Sequence, residues 1–391
     1  MTNDTGRTRG DWLTQMRALA PEVEKWRDAA ERERHLPRPL FEALREAGVF
    51  ALSTPKAVGG AEVEEAIAVA VVEELSRLDG SVGWNAMVAS NTATITSYLR
   101  MPALQELYRN GPSAVVAGAL LPKGMAVPVG NGYRLSGRWT LASGCRQADW
   151  LVACSAIVVD GAPRLRPDGR PDVRTLHLPM QDCKILDTWH TAGLRGTGSH
   201  DCEVQDVVVP EERTTSILFD GPRVAGALYV KDFAAFAVAR VAAVALGIAR
   251  DAIDSFTALA KTKTPTVATT TLANQHTVHE RVGRAEGLLR AGRALLYETI
   301  GALPYTPAWS ESLGDEQRAS IRLAGAVAAE HAAAAVDLMF NAAGTSAIYD
   351  SSRLERCFRD VHVATQHINV ASSNLEMVGQ YLLGLGLHFR R

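Results

Sequence analysis

No apolar run in this 391-residue chain stands out as long enough to cross a bilayer, which takes ~20 consecutive positions; the longest candidate, around Val241 to Ala249, is far short. The opening MTNDTGRTRGDWLTQM lacks the apolar stretch of a secretory leader. Cysteine is scarce. Cys145, Cys154, Cys183, Cys202 and Cys357 form no CxxC pair and are odd in number, which argues against a disulfide scaffold and for a reducing, cytoplasmic setting. Neither sign of charge dominates either. With 41 Lys plus Arg against 43 Asp plus Glu, the formal net charge is -2, so no basic field draws in a polyanion. Neither nucleic acid nor membrane is an expected partner. Only seven of the 41 basic residues are Lys, a bias that reads as genomic.

Several catalytic signatures are missing too. The richest glycine run, Gly193, Gly196 and Gly198, has the wrong spacing for a dinucleotide fingerprint and leads into a β-like segment instead of a helix. There is no GxxxxGK[ST] loop, no HExxH and no GxSxG. His276, His279 and Glu280 fall on successive helical turns but lack neighbouring Cys or Asp ligands, so no metal is expected.

What is present is an ordinary globular composition, 47% hydrophobic and 21% charged. From Trp12 to about Leu107 apolar residues recur at three and four spacing, as in Ile67, Val71 and Leu75, the period of amphipathic helices. Val49 to Gly60 interrupts them with Ser53-Thr54-Pro55 and Gly59-Gly60. From about Val115 to Thr214 the texture turns to short β-branched runs separated by turn signals such as Gly130-Asn131-Gly132. Long Ala- and Leu-rich stretches follow at Phe233 to Ala260, His276 to Ile300, Glu316 to Asn341 and Ile368 to Leu385, with the length of bundle helices. The expected fold is α+β, mainly α, with boundaries at 1–112, 113–220 and 221–391. Alternating βαβ units are absent, which counts against a doubly wound parallel sheet.

Three stretches carry a family resemblance. One is Glu73-Glu74-Leu75 with Gly80-Ser81-Val82-Gly83-Trp84. The second runs from Leu135 to Gly144, LSGRWTLASG, and is followed by Trp189 and by Gly193 to Ser199, GLRGTGS. The third is Arg356 to His362, RCFRDVH, continuing to Gln366-His367. In order and spacing they resemble the acyl-CoA dehydrogenase superfamily from about Trp12 to Leu385. The likeness is greatest to its flavin-dependent monooxygenase branch, the oxygenase components of two-component hydroxylases. The resemblance implies a helical N-terminal domain, a central β barrel and a C-terminal four-helix bundle, assembled as a homotetramer. It also implies diffusible reduced FMN or FAD delivered by a separate NAD(P)H-flavin reductase, with O2 as co-substrate. By the same resemblance Trp84, Trp139, Thr140, Ser143, Gly196, Thr197 and Gln275 meet the flavin, Trp139 covering one ring face, while His367 and Ser143 are catalytic. Arg359 and Asp360 are expected to form a buried structural pair.

One contrast separates the branches. A dehydrogenase needs a carboxylate base beside the flavin, yet the stretch after Arg359-Asp360, VHVATQHINV, contains neither Glu nor Asp. In the oxygenase branch a His commonly stands where His367 falls, able to orient a substrate hydroxyl or amine or to accept its proton. Some hydroxylases have Ser where Ala117-Gly118-Ala119 stands, and several a His where Asn91 and Thr92 stand. These departures speak against a simple phenol and leave room for an apolar polycyclic, indolic or amine substrate; the expected reaction is hydroxylation or N-oxygenation of an aromatic, polycyclic or amine substrate. Two alternatives stay open: a dehydrogenase whose base is displaced to Glu298 or Asp337, and a flavin-free binding protein on the same fold.

Overall fold

The structure, a computed structural model, describes residues 7–217, 219–226, 228–229, 233–303 and 313–387. Six helices come first: α1 (Arg9–Ala18), α2 (Ala20–Glu33), α3 (Arg38–Glu46), α4 (Glu65–Leu78), α5 (Gly80–Thr96) and α6 (Met101–Leu107). A capping box starts α1, Thr8 and Asp11 each satisfying the other's backbone N–H. The break expected between Val49 and Gly60 is two short 3₁₀ turns, Val49–Ala51 and Lys56–Val58. Gly60 is required there, because a Cβ would lie 2.0 Å from the Thr54 carbonyl oxygen. Asp79 separates α4 from α5: its backbone is extended, and its carboxylate accepts from the N–H groups of Ser81 and Val82.

Eight strands follow: β1 (Val116–Val129), β2 (Gly132–Trp139), β3 (Trp150–Val159), β4 (Ala162–Pro163), β5 (Val173–Pro179), β6 (Lys184–Leu186), β7 (Asp201–Pro210) and β8 (Thr214–Thr215). They form one mixed sheet in the order β6-β7-β2-β1-β3-β5-β8, with β4 beside β3. Among the described residues only the β1–β3 pairing is parallel. The expected barrel is thus a sheet whose end strands, β6 and β8, do not pair with each other among the described residues. Leu135, Trp139, Leu151, Leu176, Leu178 and Val204 fill its core. One register sets up the site: Trp139 faces Cys202 where β2 ends and β7 begins, so residues 140–144 and 193–200 leave the sheet side by side.

Five helices complete the described residues: α7 (Phe233–Thr262), α8 (His276–Gly301), α9 (Asp315–Ala343), α10 (Arg353–Ala364) and α11 (Ser373–Leu382). The expected helix from Ile368 to Leu385 starts only at Ser373, and α10 precedes it across a turn. Side chains cause the break by bonding local backbone. Thr365 donates to Val361 O, His367 Nδ1 accepts from Asn369 N, and Asn374 donates to Ile368 O and Ala371 O. Trp12 and Leu75 share one continuous core with Leu246, Leu289, Met339 and Val361, so the two helical blocks bury each other's apolar faces. Among the described residues the segment Asp315–Ala347 is long and apolar enough to span a membrane, with mean hydropathy 1.4. It is the Ala-rich stretch expected as a bundle helix at Glu316 to Asn341, longer than the run around Val241, and it packs against α7 and α8.

Candidate active site

The strand ends, the N-terminus of α5 and the turn after α10 converge. Trp84 on α5 donates its indole N–H to Ser143 Oγ at 3.0 Å. The imidazole of His367 meets the same indole edge-on, ring centres 5.7 Å apart. Behind Ser143 runs a chain of buried hydroxyls. Ser143 Oγ is 2.6 Å from Ser199 Oγ, and Ser199 Oγ is 2.7 Å from Thr197 Oγ1. Thr197 Oγ1 is 2.8 Å from Leu194 O, which also accepts from Trp189 Nε1.

A hydroxyl has one proton and two lone pairs, so this chain has two proton orders. Running inward, Ser143 donates to Ser199, Ser199 to Thr197 and Thr197 to Leu194 O, leaving Ser143 with a lone pair to offer. Running outward, Thr197 donates to Ser199 and Ser199 to Ser143, which then presents its O–H; Leu194 O keeps the Trp189 N–H. Trp84 Nε1 donates to Ser143 in both.

His367 is more constrained. The backbone N–H of Asn369 donates to Nδ1 at 3.2 Å, so Nδ1 is unprotonated. Burial pushes the imidazole pKa down to about 4. At neutral pH the ring is therefore neutral with its proton on Nε2, a hydrogen-bond donor. Of the two roles expected for it, orienting and accepting a proton, this geometry favours the first.

The glycine loop is anchored from α10. Leu194, with φ +50°, donates its N–H to Asp360 Oδ1 at 2.6 Å. Gly193 packs so close that a Cβ would lie 2.4 Å from Arg359 O. Arg359 and Asp360 do not pair with each other, since neighbours on a helix point about 100° apart. Arg359 holds Glu31 and Glu355 instead. Asp360 thus ties the hydroxyl chain to the helix that leads into His367.

Burial first, then the negative charge of Asp79, raise Asp360 to about 7 from an ordinary 3.8; Arg359 and the Leu194 N–H offset this only in part. A raised carboxyl stays protonated in the fold where the unfolded chain has already ionised. Its contribution to stability is then greatest below about pH 4 and falls as pH rises toward 7. Asp360→Asn is expected to gain thermal stability relative to the native chain between pH 5 and pH 8. Melting curves at both values check this, and a constant difference would refute it.

The other expected flavin contacts divide. Trp139 is fully buried in the sheet and donates Nε1–H to Cys154 O at 2.7 Å, so it has no face to lay on a ring; it is a core aromatic. Gly196 is small for packing, since a Cβ would meet the side chains of Ser81 and Ala30, and Thr197 is a buried member of the hydroxyl chain. Thr140 is exposed beside the cluster in sequence. Gln275 stands at the N-terminus of α8, and its backbone N–H bonds Leu272 O, not the cluster. Ser199, which lies in GLRGTGS, and Leu141 join the site beyond the residues expected from the sequence. That leucine has φ +63° and is more than half exposed, a conformation bulky residues rarely adopt outside functional turns. It sets apolar surface one residue from Ala142-Ser143. Among the described residues His367 Nε2 has no hydrogen-bond partner, and Ser143 keeps one direction open. An apolar wall with a reversible hydroxyl and a fixed N–H donor suits a planar flavin, whose ring has an apolar end and a polar edge.

Two family models match, acyl-CoA dehydrogenase N-terminal domain over residues 14–101 and C-terminal domain over 239–372. The chain is 32% identical over 363 residues to the indole-3-acetate monooxygenase of Pseudomonas putida, spanning 90% of this chain and 89% of that one. This chain is a flavin-dependent monooxygenase of the acyl-CoA dehydrogenase superfamily. The monooxygenase is also 26% identical to the flavin-dependent monooxygenase oxygenase subunit HsaA of Mycobacterium tuberculosis, over 89% of each chain. Its fold matches XiaF from Streptomyces sp. in complex with FADH2 and glycerol, with TM-score 0.87 at 24% identity over 98% and 97% of the chains. Neither displaced base serves the dehydrogenase alternative in this monooxygenase: Glu298 is exposed on α8, and Asp337 Oδ1 lies 2.9 Å from His362 Nε2. His276 and His279 are exposed, and no metal-binding group occurs among the described residues.

Proposed function

We propose that this monooxygenase is the oxygenase component of a two-component system that inserts one oxygen atom into a small aromatic molecule of indolic or phenolic type. It takes diffusible reduced FMN or FAD from a separate NAD(P)H-flavin reductase and uses O2. The observation that carries this reading is the neutral His367, its Nδ1 held by Asn369 N and its Nε2–H free among the described residues, opposite Trp84 and Ser143 in a turn that contains no carboxylate. Reduced flavin, when bound, supplies the electrons that activate dioxygen. Ser143 and Trp84 would hold it, with Leu141 and Thr140 beside them. His367 Nε2–H orients an oxygen or nitrogen acceptor of the substrate, and the apolar surface of Leu141 and Trp84 keeps water from the reacting atoms. The names of the relatives, an indole-3-acetate monooxygenase and a resorcinol hydroxylase, support an aromatic substrate.

The chain is further proposed to work in the cytoplasm, with its described cysteines unpaired, and as a homotetramer. Exposed Leu382, Leu383 and Leu385 near the end of α11 support self-association. The test supplies chemically reduced flavin, ¹⁸O2 and either indole-3-acetate or resorcinol. One ¹⁸O atom in the product is expected; oxidation of an acyl-CoA with an electron acceptor, and no labelled product from either aromatic, would overturn the reading.

A further inference from the structure

A cavity of about 350 Å³ lies where α1, α4, α7 and α8 meet, away from the residues of the oxygenation site. Each helix turns one row toward it: Arg9, Leu13 and Arg17; Ala70, Glu73, Glu74 and Arg77; Arg250 and Asp254; and Arg293. The spacings of three and four put each row on one helix face. The volume is that of a small-ligand pocket.

The charges lining it do not balance, since five guanidiniums face three carboxylates. Those carboxylates are already engaged. Glu73 accepts from Arg293 Nε at 2.7 Å and from Tyr297 OH at 2.6 Å. Glu74 holds Arg77 and Arg17, and Asp254 holds Arg250 and Arg77. Glu286, outside the cavity, pairs with Arg250 but is shared with Arg290, so it leaves the excess unchanged. Arg9 has no carboxylate partner among the described residues; its guanidinium lies 4.9 Å from the centre of the Tyr297 ring, and that of Arg293 lies 4.5 Å from the same ring. Buried Nε atoms of Arg9 and Arg250 make no hydrogen bond. Arg9 also stands in the first turn of α1, the positive end of the helix dipole. Two cations against one ring, with unmade N–H bonds and saturated acids, form a cradle whose missing member is negative.

We propose that this cavity binds a multivalent phosphate-type oxyanion, whose oxygens match the guanidinium fork. The ligand would sit between α1 and the helices α7 and α8. The probe is inorganic pyrophosphate, titrated calorimetrically into the native chain at constant ionic strength, with chloride as reference and ADP as a second arm. Saturable binding at least tenfold tighter than chloride is expected, weakened at least tenfold by Arg9→Gln or Arg17→Gln. ADP binding more tightly than pyrophosphate assigns a nucleotide, and equal affinity assigns the free oxyanion. Binding no tighter than chloride, or affinity unchanged in both variants while circular dichroism shows them folded, overturns the proposal.

Discussion

Replacing Arg240 by Met is expected to cost about 3–5 kcal/mol of stability, the range for stripping one partner from a buried ion pair. Arg240 on α7 and Glu65 on α4 are fully buried. The guanidinium donates through Nε and Nη2 to Glu65, and through Nη1 to Ser90 O at 2.8 Å and Thr94 Oγ1 at 3.1 Å on α5. The methionine variant keeps the volume but leaves a carboxylate in the core with no cation and two α5 oxygens with one donor fewer. Arg240→Met combined with Glu65→Leu removes both charges and is expected to recover most of the loss, since apolar replacements of buried pairs are often neutral. Urea unfolding of the two single variants and the double variant measures the coupling. Additive losses would show that the pair does not act as a unit.

His367→Ala is expected to lower product formation by about 10²-fold, the usual scale for losing one preorganised donor, while flavin affinity changes little. Oxygen consumption should continue and appear as hydrogen peroxide. The protonation state adds a sharper condition. Because the ring stays neutral down to about pH 4, the native rate profile should show no inflection near pH 6.5 that vanishes in the alanine variant. His367→Asn, which offers an amide N–H in place of Nε2–H, should restore part of the coupling. The check is product formed per flavin oxidised, from pH 5 to pH 8. Unchanged coupling in His367→Ala would remove the residue from the reaction.

Periodicity made most of the architecture legible. Ile67, Val71 and Leu75 point inward on α4 because a helical repeat and a buried stripe are the same fact, and α7, α8 and α9 lie within a few residues of their expected bounds. The turn holding His367 was not legible, since it depends on Thr365, Asn369 and Asn374 bonding backbone that an apolar pattern alone would have left helical. Within the site, Trp84 and Ser143 were reached through motifs. Trp139 was reached as a strand position, but that its side chain packs in the sheet core depends on which face of the sheet it takes, which a motif does not give. Ser199 was hidden for the opposite reason. Its partner Ser143 lies 56 residues away, and only the pairing of Trp139 with Cys202 brings them together. The role of Asp360 likewise depends on a contact with Leu194 across 166 residues.

The reversible order of the three hydroxyls has a consequence for selectivity. A side chain locked as donor or as acceptor favours one redox form of a ligand whose edge nitrogen gains a proton on reduction. Ser143 can do either, because Ser199 and Thr197 can turn over with it, but the outward order gives up the bond from Thr197 to Leu194 O. At that point the pocket leans, by that one bond, toward a visitor that gives a proton, and since the Trp84 N–H is spent on Ser143 in both orders, the donor free to favour a visitor that accepts one is the Nε2–H of His367.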